Sequence, residues 1–328
     1  MAEPAIQVTD LVKVYREKSS HPVRALDGLT LTVREGEIFG LLGRNGAGKT
    51  TLLRILTTLI EPTSGRVTIL HRDAVKNPLE VRKNICVVLQ ENAVELYLSV
   101  RDNFFTFARF HSIPAGEVRS RTNRVIEQFG LGDYADQKVI DLSSGLKRRV
   151  QVAKVFMVDK PIIFLDEATT GMDPVNKRAT IDAIREQARR GRTIFLTTHI
   201  LQEAEELCDT IAIIDHGKRL ACGSLQQIKS LARHALDITL TFDTLTDATL
   251  SELRALPSTK FEHTDNTVDM CVAGGEVAVL ELVARLARQQ RVLHVEMSSA
   301  TLEDAFFELL RKSAHRPPGT TEDGGLSP

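Results

Sequence analysis

The segment Gly43–Thr50 is the feature that most restricts what this chain can fold into. Its sequence, GRNGAGKT, fits the pattern G-x-x-x-x-G-K-[ST] of a phosphate-binding P-loop. The apolar run Glu37–Leu42 before it predicts a buried strand, and the amphipathic run Thr51–Leu56 after it predicts a helix. A strand, a glycine-rich loop and a helix N-terminus present backbone N–H groups and partial positive charge to phosphate oxygens. A glycine turn with a chance lysine is the alternative, and these flanking runs disfavour it.

Four side chains, two in this loop and two at the end of a later strand, indicate catalytic chemistry. Lys49 is expected to reach the terminal phosphates, and the Thr50 hydroxyl is expected to hold Mg²⁺. A second apolar strand, Ile162–Leu165, ends in two acids. Asp166 at the strand tip is expected to hold the Mg²⁺ shell directly or through water, and Glu167 to polarise the attacking water as a general base. A buried strand that happens to meet an acidic turn is the alternative, which the upstream P-loop disfavours.

Two further polar residues also end apolar strands. His199 follows Thr193–Thr197, and Gln90 follows Ile85–Leu89. The carboxyl ends of parallel strands open toward ligands, so both positions suit a binding site. Alone, a histidine there is more often structural, and a glutamine carries no weight.

Composition limits the class of protein and its partners. The 328 residues predict about two domains, and 42% hydrophobic with 26% charged residues is typical of a soluble globular protein. A net charge of −1 gives no global field for nucleic acid, and no apolar run approaches the roughly 18 residues that span a bilayer. Met1–Ala5 lacks the features of a signal peptide, so a membrane span is expected from another polypeptide. Four cysteines without a C-x-x-C pair favour reduced thiols in a cytoplasmic protein.

The order of elements predicts an α/β domain followed by a smaller one. Apolar strands that alternate with helical segments from residue 162 to 214 predict a parallel sheet covered on both faces. Residues 100–129 predict helices, with the phenylalanines of 104–110 as core packing. After Leu231 the order βαββαβ predicts a ferredoxin-like α+β domain, followed by a helix that Thr301 and Asp304 cap. The predicted ranges are 4–230 for the first domain, with a helical subdomain at about 91–158, 235–311 for the second, and 312–328 for a disordered tail.

Together the motifs resemble the ATP-binding subunit family of ABC transporters over roughly residues 4–230. In order they are Walker A (Gly43–Thr50), the Q-loop glutamine (Gln90), the signature (Leu142–Leu146), Walker B (Ile162–Asp166) with Glu167, the D-loop (Gly171–Asp173) and the H-loop histidine (His199). The resemblance implies an α/β P-loop NTPase fold, with a mixed sheet, flanking helices and a helical subdomain. It also implies an ATP hydrolase that uses ATP and Mg²⁺.

The resemblance assigns a role to each matching residue. Lys49, Glu167 and His199 would be catalytic, and Thr50, Gln90 and Asp166 would bind Mg²⁺. Tyr15 falls where the family places an aromatic ring against adenine. The implied nucleotide contacts are Tyr15, Gly43, Arg44, Asn45, Gly46, Ala47, Gly48, Lys49, Thr50, Thr51, Gln90, Ser143, Ser144, Gly145, Asp166 and His199.

In this family two such domains dimerise head to tail. Ser143 and Gly145 of one chain would close on the γ-phosphate held by the other, with a homodimer as the expected assembly. The chain departs from the family where Ser144 replaces a glycine and Leu146 replaces a frequent glutamine. Activity is expected to persist, because Lys49, Glu167 and His199 are all present.

Two segments resemble one branch of exporters within the family. Leu98–Phe104, with the Ser112–Pro114 ending, and the later Thr301–Phe307 are similar to the daunorubicin-resistance group, whose subunits pair with a separate ABC-2-type membrane permease. The chain is therefore expected to lie peripherally on the cytoplasmic face of the cell membrane, to power efflux of a drug-like or lipophilic compound, and not to bind nucleic acid. A soluble ABC ATPase acting on nucleic acid or ribosomes is the alternative. A P-loop kinase would leave Ser143–Gly145 and His199 unexplained.

Overall fold

The computed structural model describes residues 4–16, 22–88, 93–232, 235–256, 258–273, 276–298 and 301–314. These residues form the following strands and helices: β1 (Pro4–Tyr15), β2 (Val23–Arg34), β3 (Ile38–Leu42), α1 (Lys49–Leu56), β4 (Ser64–Ile69), β5 (Arg72–Asp73), α2 (Pro78–Asn84), β6 (Ile85–Val88), α3 (Val100–Phe110), α4 (Ala115–Gln128), α5 (Ser144–Val155), β7 (Ile162–Asp166), α6 (Pro174–Arg189), β8 (Thr193–Thr198), α7 (Leu201–Leu207), β9 (Thr210–Asp215), β10 (Lys218–Gly223), α8 (Leu225–Lys229), β11 (Ala235–Phe242), α9 (Asp247–Arg254), β12 (Ser258–Thr264), β13 (Thr267–Ala273), α10 (Glu276–Gln289), β14 (Val292–Ser298) and α11 (Leu302–Ala314). They divide into two compact units between Ser224 and Leu225.

A six-stranded mixed sheet forms the centre of the first unit, in the order β10-β9-β3-β8-β7-β6. The strands β6, β7, β8, β3 and β9 run parallel, and β10 pairs antiparallel to β9. Every residue of β3 and β7 is buried, which is typical of parallel strands covered on both faces. The predicted α/β mixed sheet is therefore confirmed, and its parallel strands bring their carboxyl ends to one edge.

A second, antiparallel sheet in the order β2-β1-β4-β5 packs against the central sheet. Its apolar side shares one core with α1 and the central strands, including Leu11, Leu31, Leu52, Phe164 and Phe195. Burying an aromatic or leucine side chain contributes roughly 1.5–3 kcal/mol, so this core fixes α1 firmly beneath the loop that precedes it.

Helices α3, α4 and α5 occupy the segment predicted to be helical, and Pro114 separates the first two. The phenylalanines of α3 do not all pack in the core, which corrects that prediction. Phe104 and Ala108 are buried, whereas Phe110 is 83% exposed. At about 100° per residue, positions 104 and 108 share a face and position 110 lies across the helix from them.

Helix α5 also contacts Ala93 and helix α3. The Lys154 ammonium donates to the carbonyl oxygen of Ala93 and lies 5.3 Å from the centroid of the Phe107 ring. Both contacts use the C-terminal end of α5, whose N-terminal end carries the signature residues.

The second unit contains an antiparallel sheet in the order β12-β13-β11-β14, with α9 and α10 on one apolar face. This order is that of the predicted ferredoxin-like βαββαβ domain. The Thr301 hydroxyl accepts from the Asp304 amide at 3.2 Å, and the Asp304 carboxylate accepts from the Thr301 amide at 2.9 Å, so the predicted capping pair is confirmed.

Both domain limits in the structure differ slightly from the predicted ranges. Helix α8 lies before residue 230 but belongs to the second unit, because it packs against α11. Helix α11 runs to Ala314, past the predicted limit at 311, and an ion pair of 3.0 Å between Lys312 and Glu308 supports its last turn. Residues 315–328 of the predicted tail lie outside the described residues. Among the residues that are described, no helix is both long and apolar enough to cross a membrane.

Candidate functional site

The P-loop joins the end of β3 to the start of α1, which is the predicted strand–loop–helix arrangement. Gly46 and Gly48 have φ angles of +84° and +109°, values that residues with a Cβ rarely adopt. A Cβ on Gly48 would also lie 2.6 Å from the Ala25 carbonyl oxygen. Glycine is therefore required at position 48 both by backbone conformation and by space.

Lys49 is 6% exposed and its ammonium donates to the carbonyl oxygens of Gly43 and Arg44 at 2.7 and 3.2 Å. Burial lowers the pKa of Lys49, and the nearby Glu167 and Asp166 carboxylates oppose that shift. The lysine thus lies over its own loop with two acids in electrostatic range. Of the remaining loop residues, Arg44, Asn45, Gly46 and Thr50 are exposed, Ala47 is buried, and Gly48 and Thr51 are partly buried.

The turn between β9 and β10 is hydrogen-bonded to the P-loop. The Gly217 amide donates to the Ala47 carbonyl at 3.0 Å, and the Asp27 amide donates to the Gly217 carbonyl at 3.0 Å. Gly217 has a φ of +74°, and a Cβ there would lie 2.6 Å from the Ala25 carbonyl oxygen. The turn pair His216-Gly217 between two apolar runs is a hairpin signal, but no sequence pattern predicts its contact with the P-loop.

Parallel pairing of β7 with β8 brings Asp166, Glu167 and His199 together. Asp166 lies beside Thr197, whose hydroxyl donates to the Asp166 carboxylate. Burial raises the pKa of Asp166, and the Thr197 hydrogen bond partly offsets that effect. The His199 Nδ1 atom lies 2.9 Å from the Glu167 Oε1 atom, with the Glu167 side chain 12% and the His199 side chain 45% exposed.

The backbone of Glu167 is left-handed, with a φ of +50°. This conformation costs roughly 1–2 kcal/mol for a residue with a Cβ and is found preferentially at functional sites. The Glu167 amide donates to the Thr197 carbonyl at 3.0 Å, which holds the residue at the strand end. The carboxylate then lies at the sheet edge beside His199.

A buried acid that the sequence analysis did not identify links two of the site loops. Glu203 is 1% exposed, and its carboxylate accepts from the Thr169 and Thr198 hydroxyls at 2.9 and 2.5 Å. Burial raises its pKa, and the two hydroxyls oppose that rise. Glu203 lies in the first turn of α7, four residues after His199, and no local sequence pattern predicts its burial.

The signature segment begins helix α5, and its residues divide by burial. The Ser143 hydroxyl accepts from the Leu146 amide at 3.3 Å as the N-cap, and Ser143 and Ser144 are both exposed. Leu146 is buried, so an apolar residue is well accommodated where the family often has glutamine. Gly145 lies against the D-loop, because a Cβ there would come within 3.3 Å of the Met172 Cα atom.

Arg148, five residues after Ser143, is a second buried side chain without a sequence signal. It is 8% exposed, and its guanidinium donates to the backbone carbonyls of Asp166, Glu167 and Ala168. These contacts join residues 18 to 20 positions apart, which no local pattern indicates.

Two predicted ligand contacts remain, Tyr15 and Gln90. The Tyr15 ring is available on β1, at 36% exposure, and the Lys13 ammonium lies 5.3 Å from its centroid. Gln90 lies outside the described residues.

Comparisons with known proteins point to one family. The sequence profile described as "ABC transporter" matches residues 26–170. The daunorubicin resistance ATP-binding protein DrrA3 of Streptomyces coeruleorubidus is 38% identical over 70% of this chain and 71% of its own length. The Nod factor export ATP-binding protein I of Rhizobium sp. (strain N33) is 36% identical over 68% of this chain and 72% of its own length.

Solved structures show the same fold. An ATP-binding subunit of an ABC transporter matches with a TM-score of 0.61 at 27% identity, over 69% of this chain and 92% of its own. A dimeric ATP-binding cassette in a post-hydrolysis state with ADP and Pi matches with a TM-score of 0.61 at 23% identity, over 67% of this chain and 98% of its own. The chain therefore belongs to the ABC transporter family, as an ATP-hydrolysing ATP-binding subunit similar to those of the drug-resistance exporters.

Proposed function

We propose that this chain powers the efflux of a drug-like or lipophilic compound through a separate ABC-2-type membrane permease. The observation that carries the catalytic part is the Glu167–His199 pair at the carboxyl edge of the parallel sheet, where the Glu167 carboxylate lies in electrostatic range of Lys49. Relatives named for daunorubicin resistance and Nod factor export support the transport part.

The chemistry follows from where each group lies. The Glu167 carboxylate accepts a proton from the water that attacks the γ-phosphorus, and His199 holds that carboxylate through Nδ1. Lys49 and the loop amides stabilise the charge that develops on the phosphate oxygens and the departing ADP. Tyr15 offers its ring to the adenine base.

The residues also fit a Mg²⁺–nucleotide complex. Mg²⁺ prefers hard oxygen ligands and is usually held by one or two carboxylates, with waters and substrate phosphates completing its shell. Asp166 supplies a buried carboxylate, Thr50 an exposed hydroxyl at the start of α1, and Gln90 a further amide oxygen. When bound, the ion would neutralise phosphate charge, and these residues would hold it.

A complete site requires a second copy of the chain. The sequence contains one Walker A segment and one signature, and Ser143 and Ser144 are exposed at the N-terminus of α5. The amides and positive dipole end of that helix suit a γ-phosphate that another chain presents. A homodimer then encloses two nucleotides, each between one chain's Lys49 and the other chain's Ser143.

The permease is proposed to dock on α3 and the segment just before it. Apolar side chains lie open on this region, with Phe110 83%, Tyr97 77% and Leu96 38% exposed. Single exposed apolar residues need no explanation, but three in this short stretch suit a helix of a membrane partner. Such docking places the chain peripherally on the cytoplasmic face of the membrane.

Glu167→Gln tests the base assignment. The amide keeps the shape but cannot accept a proton, so Mg²⁺-dependent ATP turnover should fall by about 100-fold or more. An ATP-bound dimer should accumulate in size-exclusion chromatography. Glu186→Gln, a partly exposed acid on α6, serves as the matched control with native turnover. Native turnover in Glu167→Gln would refute the base assignment.

Export is tested separately, in cells that contain this chain and its ABC-2-type permease. Native cells should retain less daunorubicin, a fluorescent probe, than cells carrying Glu167→Gln. Equal retention would argue against drug export while leaving the hydrolysis assignment intact. Salt-sensitive RNA binding by the purified chain would instead favour the non-transport alternative.

A further inference from the structure

The Arg148 guanidinium is hydrogen-bonded to the backbone of Glu167, the proposed base, and of the residue on either side of it. Its Nη2 group donates to the Asp166 carbonyl and, at 3.1 Å, to the Glu167 carbonyl, and its Nε donates to the Ala168 carbonyl at 3.3 Å. The Nη1 group donates to Gln151 Oε1 at 3.0 Å, and Gln151 is 1% exposed. One guanidinium thus serves three consecutive peptide carbonyls and is itself oriented by a buried amide.

A cation in this position restricts those peptides more than a neutral side chain can. A buried charge is costly unless its hydrogen-bonding groups are satisfied, and the carbonyl oxygens supply the partial negative charge. Burial lowers the pKa of Arg148, and Asp166, Glu167 and Glu203 oppose that shift. Because the guanidinium is a rigid planar fork, it fixes the directions of the carbonyls it binds.

The carbonyls that Arg148 binds include that of Glu167, whose backbone is left-handed. Glu167 has a φ of +50°, a region that residues with a Cβ seldom occupy without outside support. Its amide is held by the Thr197 carbonyl at 3.0 Å and its own carbonyl by Arg148 at 3.1 Å. Both peptide groups of Glu167 are therefore held, and its carboxylate is directed toward His199.

We propose that Arg148 is a positioning residue for ATP hydrolysis, because it holds the left-handed backbone that aims the Glu167 carboxylate at the attacking water. Arg148 lies on the helix that Ser143 caps, so it also joins the signature helix of a chain to that chain's own proton acceptor. This inference rests on the proposed role of Glu167 as the base.

The test is steady-state ATP hydrolysis by the full-length chain with Arg148→Met and Arg148→Lys. Methionine keeps the apolar stem but loses every donor, so kcat should fall about tenfold or more while KM and the ATP Kd stay within about twofold of native. Lysine keeps the charge without the fork, so its kcat should lie between the two. Added methylguanidinium should restore part of the kcat of Arg148→Ala, whereas methylammonium should not.

Arg149→Met is the matched control for loss of a buried arginine. Arg149 is 6% exposed on the same helix, but its guanidinium donates to Asn176 Oδ1 at 2.7 Å. Arg149→Met should lower the melting temperature, while its kcat per folded chain stays at the native value. If Arg148→Met fails to fold, the kcat of Arg148→Lys alone tests the proposal.

Two results overturn the inference. One is a kcat within about twofold of native in Arg148→Met or Arg148→Lys, and the other is an equal kcat loss in Arg149→Met. Glu167→Gln is measured in parallel. Native turnover there defeats the base assignment itself, whereas lost turnover there with native turnover in Arg148→Lys defeats only the role of Arg148.

Discussion

Gly217→Ala should weaken the ATP site although residue 217 lies outside every nucleotide motif. The new Cβ would lie 2.6 Å from the Ala25 carbonyl oxygen and 2.7 Å from the Leu26 Cα atom, so backbone must move. The φ of +74° adds roughly 1–2 kcal/mol for a residue with a Cβ, and overpacking adds typically 1–3 kcal/mol. The expected loss in the free energy of unfolding is therefore about 2–5 kcal/mol.

Gly36→Ala separates the two contributions. Gly36 has a nearly identical φ of +76°, but a Cβ there meets no atom within 4 Å. It should lose only the conformational part, about 1–2 kcal/mol. Urea unfolding followed by circular dichroism measures both variants against the native chain, and the slope m shows whether the denatured state has changed.

The ATP Kd is the second measurement. Because the Gly217 amide donates to the Ala47 carbonyl within the P-loop, a displaced turn should raise the ATP Kd by about tenfold, equivalent to ~1.4 kcal/mol. Gly36→Ala should leave the Kd unchanged. Equal losses of stability in the two variants, or a native Kd in Gly217→Ala, would refute the steric reasoning.

Three further predictions concern the site and its surface. Burial raises the pKa of Glu203, so the folded chain retains a proton that the unfolded chain releases, and the free energy of unfolding should fall as pH rises above the unfolded value of about 4.3. Glu203→Gln should flatten that decline in urea unfolding at pH 5 and pH 8, and an unchanged slope would contradict it. Thr197→Val removes a hydrogen bond that lowers the pKa of Asp166, so the acid limb of the ATPase pH profile should move to higher pH, and an unmoved limb would argue against the prediction. Phe110→Ser should leave ATP turnover of the purified chain unchanged but reduce its stimulation by the permease, and full stimulation would exclude Phe110 from the docking surface.

Short-range sequence patterns predict most of the fold and the nucleotide motifs. The P-loop, the strand that ends at Asp166 and the capping pair of Thr301 with Asp304 each depend on residues within one element or its flanks, so spacing alone identifies them. A run of phenylalanines does not by itself reveal helical phase, and in α3 that phase turns Phe110 away from the face that buries Phe104.

Contacts across the tertiary structure could not be predicted in this way. Arg148 and Glu203 reach partners 18 to 34 residues away, and a charged residue in a helical run normally indicates a solvated face. The left-handed conformation of Glu167 was also hidden, since glutamate has no preference for that region. These features arise where α5 and α7 meet the residues at the sheet edge, and no local window contains both partners.

The left-handed Glu167 has a consequence for engineering the chain toward heat resistance. Glycine or asparagine would relieve the backbone there and raise the melting temperature, yet neither can take a proton from water. Because Glu167 is the proposed base, a screen that rewards thermal survival alone would enrich variants at this codon that the proposal makes inert. Directed evolution of this enzyme should hold position 167 fixed and seek robustness in the second unit, whose described residues include none of the nucleotide motifs.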